Sequence, residues 1–66
     1  MTREEVLEAA LKKANLPPLA AAAARRVMPR VYDEEHYFVP MEKHGVKEEE
    51  IVERIAKDLR EVAAGR

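Results

Sequence analysis

The 66-residue chain contains no cysteine, serine, glutamine or tryptophan, and only one threonine and one asparagine. Without cysteine there is no disulfide framework and no thiolate metal site. Without serine or cysteine the ordinary alcohol and thiol nucleophiles shrink to Thr2, which stands at a helix cap, so Ser-His-Asp and Cys-His chemistry is excluded. A charge excess is also missing. Twelve basic residues against thirteen acidic ones leave a net charge of −1, where a nucleic-acid binder usually carries a clear basic surplus. No apolar run approaches the roughly 20 residues of a membrane span. Met1-Thr2-Arg3-Glu4-Glu5 lacks the basic and apolar regions of a signal peptide. The expectation is a cytoplasmic or recombinant soluble protein with no targeting signal, no cofactor and no membrane partner.

Alanine and glutamate fill the space, with eleven residues each. A single small domain covering residues 1–66 buries only about 60% of the surface of its unfolded chain. The core is therefore thin, and self-association is expected from size alone. The first predicted helix covers about 2–15. Thr2 and Glu5 form a capping box, Met1 and Val6 occupy staple positions, and Val6, Leu7, Ala10, Leu11 and Ala14 recur at helical spacing. Glu8 and Lys12 form an i,i+4 pair. Asn15 tolerates the left-handed conformation at the helix end, and Pro17 forbids continuation. A second helix is predicted over about 18–28, with Pro18 in its first turn. Leu19, Ala20, Ala23, Ala24, Val27 and Met28 share one face, and the small side chains allow close approach by another helix. Pro29 removes a hydrogen bond and clashes one turn back, at about 3 kcal/mol, so the helix is expected to stop or kink near Met28. The last helix is predicted over about 47–64. Its stripe is Ile51, Val52, Ile55, Ala56, Leu59, Val62 and Ala63, with Glu50–Arg54 and Glu53–Lys57 as outward pairs. Lys47 at its cap offers no acceptor, and Gly65 ends it.

Residues 29–45 differ from the rest. They hold all three aromatics and a cluster of β-formers. Either a hairpin around Asp33-Glu34-Glu35 or a lone strand at His36–Val39 is expected, the latter needing a partner edge such as a second copy. The predicted fold class is thus mainly α: three helices with a short β segment between the second and third.

Four kinds of chemistry compete for these residues. Tyr32, Tyr37, Phe38, Val39 and Met41, with Ala20, Ala24 and Val27, are candidate interface residues, because aromatic and aliphatic groups anchor protein contacts. The same aromatics also suit a plug for the small core. Arg25, Arg26 and Arg30 are candidate phosphate contacts beside the last helix. The C-terminal half of a helix also attracts cations without any ligand, and Asp33, Glu34 and Glu35 would repel phosphate. Glu35, His36 and His44 are candidate zinc ligands, alongside Asp33, Glu34 and Glu42, but no helical His pair or H-E-x-x-H motif occurs. A solvated acidic turn accounts for them equally. No carboxylate or histidine is placed by its sequence context for acid–base catalysis, and so small a chain leaves little room for a pocket of several hundred Å³. An enzyme is not expected.

Thr2–Ala10 and Glu48–Ala56 resemble computationally designed helices, with deliberate caps, Glu/Lys/Arg surfaces and Ala/Leu/Val cores. That resemblance implies an idealised, thermostable helical bundle. Tyr37-Phe38-Val39-Pro40 is similar to the strand in the dimerisation region of phage middle-operon transcription activators, and implies strand pairing across a dimer followed by a DNA-binding helix-turn-helix. The functional expectation is a small self-associating structural or interaction domain, as a homodimer or with another protein. The alternatives are a DNA-binding regulator and a metal-binding module.

Overall fold

The computed structural model describes residues 1–65. The described residues form four α-helices: α1 (Arg3–Ala14), α2 (Pro18–Val31), α3 (Val39–Lys43) and α4 (Glu48–Ala63). A single π-helical turn, Glu34–Phe38, runs directly into α3. The described residues contain no β-strand, so the expected strand or hairpin within 29–45 is corrected to helix, and the three expected helices become four.

The reason lies in the backbone. A lone strand at His36–Val39 would leave its N–H and C=O groups without partners. In the helical turn they are satisfied locally: the Tyr37 and Phe38 amides both donate to the Asp33 carbonyl, at 3.0 and 3.1 Å. The second of these is the i→i−5 bond that defines a π turn. β-propensity reflects fit to a half-buried sheet rather than a fixed backbone preference, and the fold offers Phe38 a better site, 1% exposed.

The capping box of α1 is formed. The Glu5 amide donates to Thr2 Oγ1 at 3.1 Å, and the Thr2 amide donates to Glu5 Oε1 at 2.7 Å. Asn15 takes the left-handed conformation at φ 53°. α2 departs from expectation by continuing through Pro29 to Val31. Pro29 and Arg25, the residue one turn back whose carbonyl loses its helical partner, are both exposed. Lys47 precedes α4 as an N-cap with no side-chain hydrogen bond, and three glutamates, Glu48, Glu49 and Glu50, occupy the first turn, where the helix dipole favours negative charge.

α1 packs chiefly against α4. The two run in the same direction: the Met1 amino group lies 3.5 Å from Glu48, Lys13 pairs with Glu53, and Arg60 donates to the Lys13 carbonyl at 3.2 Å. Val6, Ala10, Leu11 and Ala14 meet Ile51, Val52, Ile55, Ala56 and Leu59 in one core, closed by Met28, Tyr32 and Phe38. Among the described residues no helix is long and apolar enough to cross a membrane.

Candidate functional site

The alanines of α2 shape the most distinctive surface of the molecule. They favour helix but reach out too little to fill the space beside α4. A groove of about 340 Å³ remains, lined by Ala20, Ala24, Val27, Met28, Val31 and Tyr32 from α2 and its cap, and by Leu59, Val62 and Ala63 from α4. Leu16 and Ala23 complete its walls. This exceeds the room expected of so short a chain. Met28, Tyr32 and Leu59 are buried at its base. Val27, Val31 and Val62 line it at 50%, 58% and 72% exposure, while Leu19, outside the lining, is 88% exposed. Leu19 was expected on the packed face; one residue, or 100°, turns it away from the Ala20–Ala24–Val27–Val31 line into water.

Among the described residues the only polar side-chain oxygen or nitrogen in this lining is the Tyr32 hydroxyl, which donates to Asp58 Oδ2 at 3.3 Å. Burial, then the Asp58 charge, pushes the Tyr32 phenol up to about 12. Burial raises the Tyr37 phenol too, aided by Asp58 and opposed by Arg54. The two tyrosine rings meet edge to face at 4.9 Å, a favourable quadrupole arrangement.

A second constellation was not anticipated. Arg3 Nε and Nη2 donate to the two carboxylate oxygens of Glu34 at 2.6 and 2.8 Å, and Nη1 and Nη2 donate to those of Glu42 at 2.9 Å each. Its guanidinium also lies 4.5 Å over the Phe38 ring. One planar cation thus clips the π turn and α3 onto the start of α1 by two bidentate pairs. Hydrogen bonding to the two glutamates raises the Arg3 pKa, and the same bonds hold both carboxyl groups below their usual range. Nothing in the local pattern around Arg3 marks it for this role.

The expected site residues are dispersed. Phe38 lies inside the core, Tyr37, Val39 and Met41 are half-buried around it, and only Ala20, Ala24, Val27 and Tyr32 of the expected interface line the groove. Tyr37–Pro40, which the phage-activator resemblance places in a strand, is helical. Arg25 is held by Glu8 at 3.0 and 3.1 Å, a bond that lowers the Glu8 pKa and raises that of Arg25. Arg26 and Arg30 are exposed on the outer side of α2. His36 Nδ1 lies 2.8 Å from Asp33 Oδ2, a hydrogen bond that lowers the Asp33 pKa, while Glu35 and His44 are exposed. Among the described residues no three His, Asp or Glu side chains are grouped to hold a metal ion. No known protein family, curated protein or solved structure matches the chain.

The groove residues missed in the sequence are Leu16, Val31 and, as uncovered groups, Val62 and Ala63. The signal for Val31 was present, since it continues the 20–24–27 spacing by one further turn, but it lay beyond Pro29.

Proposed function

We propose that this chain is a small self-associating interaction domain, and that the groove between α2 and α4 receives a second copy. The apolar lining of that groove, bordered by large aliphatic side chains left in water, carries this reading. Clustered exposed apolar surface marks contact sites in proteins of this kind. The groove holds no pair of titratable groups for acid–base work and no array of polar groups to orient a substrate, which favours a structural role over catalysis. Ala20, Ala23 and Ala24 let a partner helix approach closely. Tyr32 then serves both the contact face and the core, with the Tyr37 ring packed edge to face against it. A domain with a thin core gains stability from such a contact, and the role fits the resemblance of α1 and α4 to designed helices.

Light scattering over a range of protein concentrations tests the reading. The parent chain should show twice its 7.5 kDa mass. Val27→Glu, a half-exposed position that tolerates a polar side chain in the monomer, should return the single-chain mass with its helical circular dichroism intact. A parent that stays monomeric throughout the range would defeat the proposal.

A further inference from the structure

The groove leaves one part of α2 unexplained. Leu19 is 88% exposed and belongs to no part of the groove lining, and the same holds of Arg26 and Arg30. At 100° per residue, Arg26 and Arg30 stand about 20° either side of Leu19, two and three turns further along the helix. Ala22 and Ala23 fill the span between, and all five side chains are exposed. This line lies about 100° round the helix from the Ala20–Ala24–Val27–Val31 line of the groove. A flat surface laid on it meets Leu19, Arg26 and Arg30 together, over about 16 Å of helix.

The charge around this line is one-sided. From Ala9 to Tyr32 the basic residues are Lys12, Lys13, Arg25, Arg26 and Arg30, and there is no acidic one, although the whole chain carries a net charge of −1. Lys13 and Arg25 are paired with Glu53 and Glu8. Among the described residues Lys12, Arg26 and Arg30 join no ion pair. The acids that border the stretch in sequence, Glu8 and Asp33, are bonded to Arg25 and His36.

We infer that the outward face of α2 docks on an anionic phospholipid surface, with Leu19 entering the headgroup boundary and Arg26 and Arg30 holding phosphate groups beside it. A helix that lies on a bilayer is held by exposed apolar area together with attraction to anionic lipid, and it requires no membrane-crossing length. The guanidinium fork matches phosphate oxygens, and the arginine stems can lie along apolar surface while their heads stay at the phosphate level. α2 carries no carboxylate to be repelled. Leu19 favours a bilayer over a nucleic acid, whose phosphate backbone recruits cations and offers no apolar phase for an exposed leucine. The contact spares the aliphatic groove side chains, so it is open to one copy or to two.

The chain has no tryptophan, so Leu19→Trp places a single fluorescent probe at the point of contact. At low ionic strength its emission should shift to the blue with phosphatidylglycerol vesicles and not with phosphatidylcholine vesicles, and the parent should co-sediment with the first alone. In about 0.5 M salt the chain should be released. Arg26→Gln/Arg30→Gln should weaken binding at least about tenfold. Lys47→Gln/Lys57→Gln, the same loss of charge placed before and on α4, should leave it unchanged. All these positions are exposed, and each variant should keep the helical circular dichroism of the parent. No blue shift and no co-sedimentation with anionic vesicles would overturn the inference, as would equal binding to neutral ones. Equal weakening by the two double variants would trace the effect to net charge and overturn the assignment to this face. Tighter binding to duplex DNA than to vesicles in the same buffer would overturn it in favour of nucleic acid.

Discussion

Phe38→Ala gives the sharpest test of how the π turn is held. The ring is buried beneath the Arg3 guanidinium, 4.5 Å from its carbon, and meets the Tyr37 ring edge to face at 5.5 Å. Truncating a buried phenylalanine to alanine costs about 3–5 kcal/mol in lost transfer energy and residual cavity. A 66-residue domain has a total stability of roughly 3–10 kcal/mol on the usual per-residue scale. The substitution should therefore remove a third or more of the stability and bring the weaker end of that range to unfolding. With a urea m-value of about 1 kcal/mol/M, the midpoint should fall by about 3 M or more. Parent and variant should be compared at one protein concentration, because self-association adds a concentration-dependent term. Phe38→Leu, which retains most of the apolar volume, should lose much less. If Phe38→Ala kept its midpoint within about 0.5 M of the parent, Phe38 would not be a core residue, and the placement of the whole 34–43 segment would be wrong.

Two further outcomes follow from the ion pairs and from α2. Glu8, Asp33, Glu34 and Glu42 all have depressed folded pKa values, so their contribution is present above the unfolded value of about 4 and is lost as pH falls through the lower folded values. The melting temperature should hold from neutral pH to about pH 5 and then drop toward pH 2, less steeply in 1 M salt; a melting temperature flat to pH 2, or one rising on acidification, contradicts the pairing. Pro29→Ala restores a helical hydrogen bond while loosening the unfolded chain, with a net gain of about 1–2 kcal/mol; a lower melting temperature would show that the proline ring is needed for the course of α2.

How much was legible in the sequence depended on the range of the interaction. The start and end of α1 were readable because Thr2, Glu5, Asn15 and Pro17 act on their own neighbours. The buried stripe of α4 was readable from its period. Ion pairing was readable only where no other element intervenes: Glu50 does reach Arg54, at 3.1 Å. Glu8 leaves its i,i+4 neighbour Lys12 for Arg25 on α2, and Glu53 leaves Lys57 for Lys13 on α1. The 34–43 segment was misread because its conformation is decided by Arg3, which is 31 and 39 residues from its two partners, and by the burial of Phe38. Tyr37, Phe38 and Val39 carry only the local β tendency. Ala20, Ala24 and Val27 were legible as one face by spacing, but the same pattern does not say whether a helix face is covered. That depends on side-chain reach between α2 and α4, a property of two elements at once.

The pairing of α1 with α4 has a consequence for the chain as it leaves the ribosome. The main core contact joins the first helix described to the last, so no hydrophobic pocket can close around Val6, Ala10 or Leu11 until α4 has emerged. At a synthesis rate of about 5–20 residues per second, the intervening stretch keeps α1 waiting for several seconds. During that wait the apolar faces of α1 and α2 have only each other, and α2 alone gives α1 a small contact. Folding is therefore a single late event. A nascent chain arrested before Ile51 should be protease-sensitive along its whole length, with no smaller folded unit to fall back on.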